Sequence, residues 1–156
     1  MDPGFRVRHA VRVLLLDERD RLLLFRSARR AWWQPAGGGI GAGEEARAAA
    51  LRELAEETGL QVVQLGAEVW RRRSSFTWQG IEIDQRERWF LARAASFDPD
   101  TRGLTASQTT DLAEWRWWTL PELQATRERL VPGDLAALLG DLLAHGAPAR
   151  PIDVGL

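Results

Sequence analysis

The stretch GGGIGAGEEARAAALRELAEETGL, Gly37 to Leu60, constrains this chain more than any other. Glycines at 37, 38, 39, 41 and 43 disfavour a regular element up to that point, because glycine loses the most backbone freedom on ordering. From Glu44 the residues are Ala, Leu, Glu and Arg, all good helix formers. The pattern predicts a helix over Glu44–Thr58, stopped by Gly59. At about 100° per residue, Glu53, Glu56 and Glu57 share one sector, with Ala46, Ala49 and Ala50 in or beside it. Leu51, Ala55 and Ala48 lie opposite, with Leu54 at their edge. The expectation is that this second face packs and that the stripe of acid and alanine stays open.

Local preferences are broken in that stripe. Glu53 and Glu57 are like charges one turn apart, unfavourable by about 0.2–0.5 kcal/mol. Glu56 and Glu57 occupy the last turn, at the negative end of the helix dipole. Arg52 offers the obvious local relief. Glu-rich helical faces are commonly plain solvated surface, and the helix alone permits that reading. A hard divalent cation would turn each repulsion into attraction, and uncompensated rule-breaking marks functional sites. The preceding glycines favour the second reading, since they let a backbone approach a ligand closely and helix-start amides favour anions. Together the two features suit a phosphate ester bridged by metal.

Composition narrows the classes. A chain of 156 residues is most simply one domain, able to bury roughly 70% of its unfolded surface. The expected organisation is a single domain over 1–156, with its core in 5–146 and 147–156 as a tail. The net charge of -1 argues against a broad basic face, so no nucleic-acid polymer is expected as ligand. Without cysteine there is no disulfide framework, thiol nucleophile or Cys-type zinc site. Two separated histidines argue against a histidine site as well. A bound metal would then have oxygen ligands, which points to Mg2+ or Mn2+. The N-terminus lacks a signal core, and no apolar run approaches a membrane span. A cytoplasmic protein with no membrane partner is expected. All 21 basic residues are arginine, which reads as coding bias.

Hydrophobic periodicity predicts strands over Phe5–Leu16, Leu22–Phe25, 62–70, Ser75–Trp78, Ile81–Arg93 and Glu114–Trp118. Residues 27–39 predict a loop broken by Pro35 and three glycines, and 96–111 a long polar loop. Further helices are predicted from Leu120, with Pro121 in the first turn, and over Asp134–His145, with Asp134 as N-cap and Gly146 as stop. The mixture lacks regular βαβ alternation, so the class is α+β, or α/β/α in layers.

Gly38, Glu44 and the run Arg52-Glu53-Leu54-Ala55-Glu56-Glu57-Thr58-Gly59-Leu60 match the Nudix box, GX5EX7REUXEEXGU with U aliphatic, at every specified position. On this motif the chain resembles the Nudix hydrolases. A hairpin precedes the box and strands follow it, and EWRWWTLPEL resembles the strand-then-helix segment typical of family C-termini. Two flanking positions depart from the common pattern. Ala36 follows Pro35 where Pro-Gly-Gly is frequent, and Gly41 stands where an acid is frequent.

The resemblance implies the Nudix fold, an α/β/α sandwich with a mixed central sheet. It also implies hydrolysis of the pyrophosphate linkage in a nucleoside diphosphate joined to a group X, with water attacking phosphorus and Mg2+ (Mn2+ substituting) on the pyrophosphate. Glu53, Glu56 and Glu57 are the implied metal ligands. Glu44 is expected to hold metal through water, and a carbonyl of Gly37 or Gly38 to complete the shell. Arg52 is expected to orient a neighbouring carboxylate. Glu53 is the most economical general base, with Glu57 beside it. Glu87, Asp111 and Glu114 are alternatives outside the box, each read first as surface charge.

Eight tryptophans and no tyrosine imply that most indoles lie in the core. Trp32 and Trp33 sit just before the glycines, where they could stack a nucleobase or simply pack the loop. Gly38 and Gly39 are expected against the substrate. Arg71, in RRRSSF, could hold a distal phosphate or be solvated. The expected ligand is a small nucleotide: a nucleoside triphosphate, oxidised nucleotide, sugar nucleotide or dinucleoside polyphosphate. Homodimers are frequent in the family, so a dimer is admitted. The competing reading is a Nudix-fold domain that only binds or senses a nucleotide, and the intact box argues against it. Isopentenyl diphosphate isomerase shares the fold but depends on a cysteine, which this chain lacks.

Overall fold

The computed structural model describes residues 4–61, 64–105, 108–109 and 112–155. One curled, mixed sheet organises them. Its long central strands are β1 (Phe5–Leu16) and β6 (Ile81–Arg93), paired in parallel from Phe5↔Glu82 to Leu16↔Arg93. β2 (Leu22–Arg26) and β3 (Trp32–Gln34) follow β1 on one side. On the other, β5 (Glu68–Trp78) runs antiparallel to β6. β4 (Ala36–Gly39) pairs antiparallel with β1, and β7 (Glu114–Trp118) with β2. The short β8 (Arg129–Leu130) and β9 (Ile152–Asp153) close the two edges beside β3 and β5.

Period-two alternation along β1 sends side chains to two cores. Val11, Val13 and Leu15 meet the helix α1 (Ala46–Thr58), together with Leu23, Phe25 and Phe90. Leu14 and Leu16 face the other way, toward Trp33, Trp70, Trp89 and Trp118. The helices α2 (Leu120–Ala125) and α3 (Leu135–His145) cover them with Leu123, Leu135, Leu139 and Leu142. This is the α/β/α sandwich on a mixed sheet that the box implied. Gly59 ends α1 in the left-handed conformation at φ 77°, as expected. Thr119 opens α2 with a reciprocal capping box to Glu122. Asp134 stands at the N-cap of α3, but its side chain caps nothing.

Several expectations are corrected. The segment read as a loop, 27–39, contains two strands. Glycine is poor in a strand for want of a side chain to pack, but here its smallness is what the pairing requires. A Cβ on Gly37 would lie 2.1 Å from the Val11 carbonyl oxygen. β5 is one continuous strand through Arg71, Arg72 and Arg73, because acids on β5 and β6 answer each of them: Glu68, Glu87 and Asp84 respectively. Residues 147–156, expected as a tail, supply β9, and Val154 is buried.

The largest correction concerns α1. Its buried side carries Ala46, Ala49, Ala50, Glu53, Leu54 and Glu57, so the stripe of acid and alanine faces the sheet. Alanines let the helix settle close onto β4 and β1, and the glycines of β4 offer it an equally low surface. Leu54, fully buried, anchors this contact. Leu54→Ala is expected to cost about 2–5 kcal/mol, measured as a lower midpoint in chemical denaturation with unchanged slope. A loss under about 1 kcal/mol would contradict the packing described.

Candidate active site

The close approach of α1 and β4 buries two carboxylates. Glu53 and Glu57 are 6% and 3% exposed. The backbone N–H of Gly37 donates to Glu57 Oε2 at 2.9 Å. Glu53 lies against the Cα of Gly38, where a Cβ would fall 2.5 Å from its Oε1. Burial pushes the Glu57 carboxyl well above the ordinary carboxylate range, and the neighbouring Glu53 adds to the effect. Arg12 and the Gly37 N–H oppose the shift without cancelling it. A pair of acids so placed disfavours its second negative charge.

Arg52 draws the remaining box residues together. Its Nε donates to Glu44 Oε2 at 2.8 Å and its Nη2 to Glu44 Oε1 at 2.9 Å, a two-pronged fork. Nη1 reaches Glu53 Oε1 at 3.0 Å and Glu56 Oε2 at 3.5 Å, and Nη2 also donates to the Gly39 carbonyl at 3.0 Å. The Gly41 N–H completes the hold on Glu44 at 2.8 Å. The Arg52 fork and the Gly41 N–H keep the Glu44 carboxyl at a pKa of about 2. Glu56 is exposed at the rim.

The donor set is entirely oxygen, which suits a hard divalent cation and excludes a soft one. Among the described residues, no three acidic or histidine side chains already converge as a cluster for a metal. Two do so tightly, Glu53 and Glu57, and their mutual repulsion is what a cation would relieve. Glu56 and Glu44 lie one Arg52 side chain away. The residues therefore fit a divalent ion, with Arg52 as the group that must share its carboxylates.

The residues expected outside the box are distributed differently. Trp33 is buried, edge-on to Trp118 with ring centroids 5.2 Å apart, and offers no open face to a base. Trp32 is half-buried, and its ring is approached by the guanidiniums of Arg30 and Arg129 at 5.1 and 4.9 Å. Arg71 pairs with Glu68 at 3.0 Å. Gly39 lies against Arg8 rather than an acid. Glu114 is exposed, 3.7 Å from Arg26, and Asp111 lies outside the described residues. Glu87 is buried on β6. Burial raises its pKa, but Arg12 and Arg72 outweigh that and hold the carboxyl below its ordinary range. Sequence reading passed over Arg12, whose Nη1 donates to the Pro35 carbonyl and whose charge acts on Glu57. Its place in the alternation of β1, where a third apolar residue would continue the run of Leu14 and Leu16, was the available signal.

The family model of the NUDIX domain matches residues 6–139. The chain belongs to the Nudix family. Among curated relatives of this Nudix chain is an RNA pyrophosphohydrolase of Novosphingobium aromaticivorans, 34% identical over 90% of the chain and 96% of the relative. Another, of Dinoroseobacter shibae, is 36% identical over 70% and 75%. The fold is shared with the MutT protein of Methanosarcina mazei at a TM-score of 0.65 and 17% identity, over 92% of this chain and 96% of that one. It is also shared with an Ap4A hydrolase of C. elegans at 0.60 and 18%, over 88% and 98%. Box and relatives together make this Nudix chain an enzyme, a pyrophosphohydrolase of acid anhydrides of phosphorus. Among the described residues no helix is long and apolar enough to cross a membrane.

Proposed function

We propose that the chain, acting as a single domain, hydrolyses the pyrophosphate linkage of a nucleoside 5′-polyphosphate with Mg2+, Mn2+ substituting, and that the 5′-phosphorylated end of an RNA is its foremost substrate. The buried Glu53–Glu57 pair against the glycines of β4 carries the catalytic part of this reading. The names of the relatives support the RNA end. The net charge of -1 disfavours binding along a polymer, but it does not bear on an enzyme that grips only a terminus. Free triphosphates, oxidised nucleotides, sugar nucleotides and dinucleoside polyphosphates are the other members of the same chemical class.

A divalent ion held by Glu53, Glu56 and Glu57 would neutralise the pyrophosphate and acidify a water. Glu44, fixed by Arg52 and Gly41, would help to hold that ion through water. The Gly37 N–H orients Glu57. Glu53 is the general base, because it sits at the open Cα of Gly38, where no side chain intervenes. Arg52 is a positioning residue, holding Glu44 and Glu53 in one plane of reach. Arg52→Gln is expected to lower kcat/KM by about 10- to 100-fold, as loss of an orienting partner does, with added Mg2+ restoring part of it. A variant within twofold of wild type would remove Arg52 from this role.

The deciding experiment offers the purified protein a 5′-triphosphorylated oligoribonucleotide beside free nucleotides of each class, with and without Mg2+. Metal-dependent release of phosphate or pyrophosphate from the oligonucleotide at the highest kcat/KM is the expected result. Preference for a free nucleotide would transfer the assignment to that class. Tight nucleotide binding without turnover would replace it with the sensor reading.

A further inference from the structure

On the face of the sheet away from α1, three guanidiniums gather about one carboxylate. Alternation along β1 puts Arg8 and Arg12 on the side of Leu14 and Leu16. The register sets Arg8 beside Gln85 of β6, and Arg72 of β5 beside Glu87. Arg72 Nη1 donates to Glu87 Oε1 at 3.1 Å, and Arg12 Nε stands 3.7 Å from its Oε2. Gln85 Nε2 and Trp89 Nε1 donate to the same carboxylate at 2.9 and 3.2 Å. Arg8 donates to Gln85 Oε1. Glu87 is thus fully used, with one negative charge set among three positive ones.

Two observations mark this cluster as incomplete. Arg72 Nε is buried with no hydrogen-bond partner, and an unpaired donor on a charged group is costly to bury. Burial, followed by the charge of Arg12, also lowers the Arg8 pKa. The other nearby counter-charge is the Glu53–Glu57 pair across β4, which a bound cation would claim. β4 acts as a thin wall between the two groups. A Cβ on Gly37 would meet Arg12 Cδ at 2.8 Å, and one on Gly39 would meet Arg8 Nη2 at 2.9 Å, while Gly38 between them opens toward Glu53.

Resting on the catalytic reading above, we propose that Arg12 and Arg72, with Arg8 beside them, form an anion subsite for a substrate phosphate beyond the linkage held at the carboxylates. The chain then selects 5′-triphosphates over 5′-diphosphates. An anion at the partly exposed ends of these side chains supplies the negative charge that three guanidiniums around one carboxylate lack.

The test is calorimetric titration of inorganic tripolyphosphate into the metal-free protein at low ionic strength, so that neither turnover nor metal enters. Wild type is expected to bind, Arg72→Gln to bind about tenfold or more weakly, and the exposed Arg150→Gln to match wild type. Arg72→Lys, which keeps the charge and loses the fork, is expected between the two, and decides the matter if Arg72→Gln does not fold. In turnover, the ratio of KM for diphosphate to KM for triphosphate should fall toward one in the Arg72 variants while kcat holds. Absence of binding by wild type would overturn the proposal. So would equal affinity in the Arg72 variants, including the case where only their melting temperature falls, which would make the cluster a structural tie. Failure of the protein to hydrolyse any nucleotide would sink the catalytic reading and leave the binding result readable.

Discussion

Glu57→Gln is expected to abolish most activity while making the metal-free protein more stable. The loss follows from the ligand's place in the proposed site, where a divalent ion contributes several kcal/mol of charge stabilisation in the transition state. Removing a principal ligand corresponds to about 10²- to 10³-fold in kcat. The gain follows from the acid pair. The substituted amide would keep an acceptor for the Gly37 N–H, which now meets Glu57 Oε2 at 2.9 Å, and would remove the like charge from a buried position. Relief of such a functional compromise is worth about 0.5–2 kcal/mol. The pH dependence has a definite sign. Burial and Glu53 raise the folded-state pKa of Glu57, so the native metal-free protein holds a proton that the unfolded chain releases above its ordinary carboxylate pKa. Stability therefore declines as pH rises from that value toward the folded pKa, and the variant lacks this decline. Denaturation in chelator across that range checks it. An inactive variant that is also less stable in chelator would show that Glu57 is structural.

Gly37→Ala is expected to unfold the junction on which the site is built. The new Cβ would lie 2.1 Å from the Val11 carbonyl oxygen, which is backbone in the middle of β1 and is held by β6 on its other side. Neither strand can retreat without breaking register. Overpacking of this kind costs about 1–3 kcal/mol and occasionally more, or about 2–12 °C in Tm for a chain of this size. Activity should fall with it, since the Gly37 N–H orients Glu57. Gly133→Ala is the control, because nothing lies within 4 Å of its Cβ position. A Gly37→Ala protein melting within about 1 °C of wild type would refute the close approach of β4 to β1.

What could be read from the chain alone was what its local chemistry determines. The helical run from Ala46 to Thr58 follows from residue preference, its end from the left-handed Gly59, and the box from residue types at fixed spacing. The third helix and the long strands β1 and β6 came from periodicity, which depends on neighbours a few positions away, and the second helix from Pro121 in its first turn. Burial of Glu53 and Glu57 was not legible, because a helical wheel shows which residues share a face but not which face is covered. Leucine looked like the packing side. The alanines packed instead, with Leu54 from the edge of the leucine face, because β4 is mostly glycine and two low surfaces can meet more closely than a low and a high one. Arg71, Arg72 and Arg73 looked like one positive cluster, and strand alternation divided them between the two faces of the sheet. Arg12, lost among arginines in the sequence, gained its position from Glu87, far away along the chain. By itself, then, the sequence determined the family, the helix and the acids it carries. The tertiary structure decided that the acids are buried, that Arg52 binds them together, and that guanidiniums gather behind the glycine wall. Those outcomes depend on which surfaces are close enough to exclude water, and only the folded chain sets that distance.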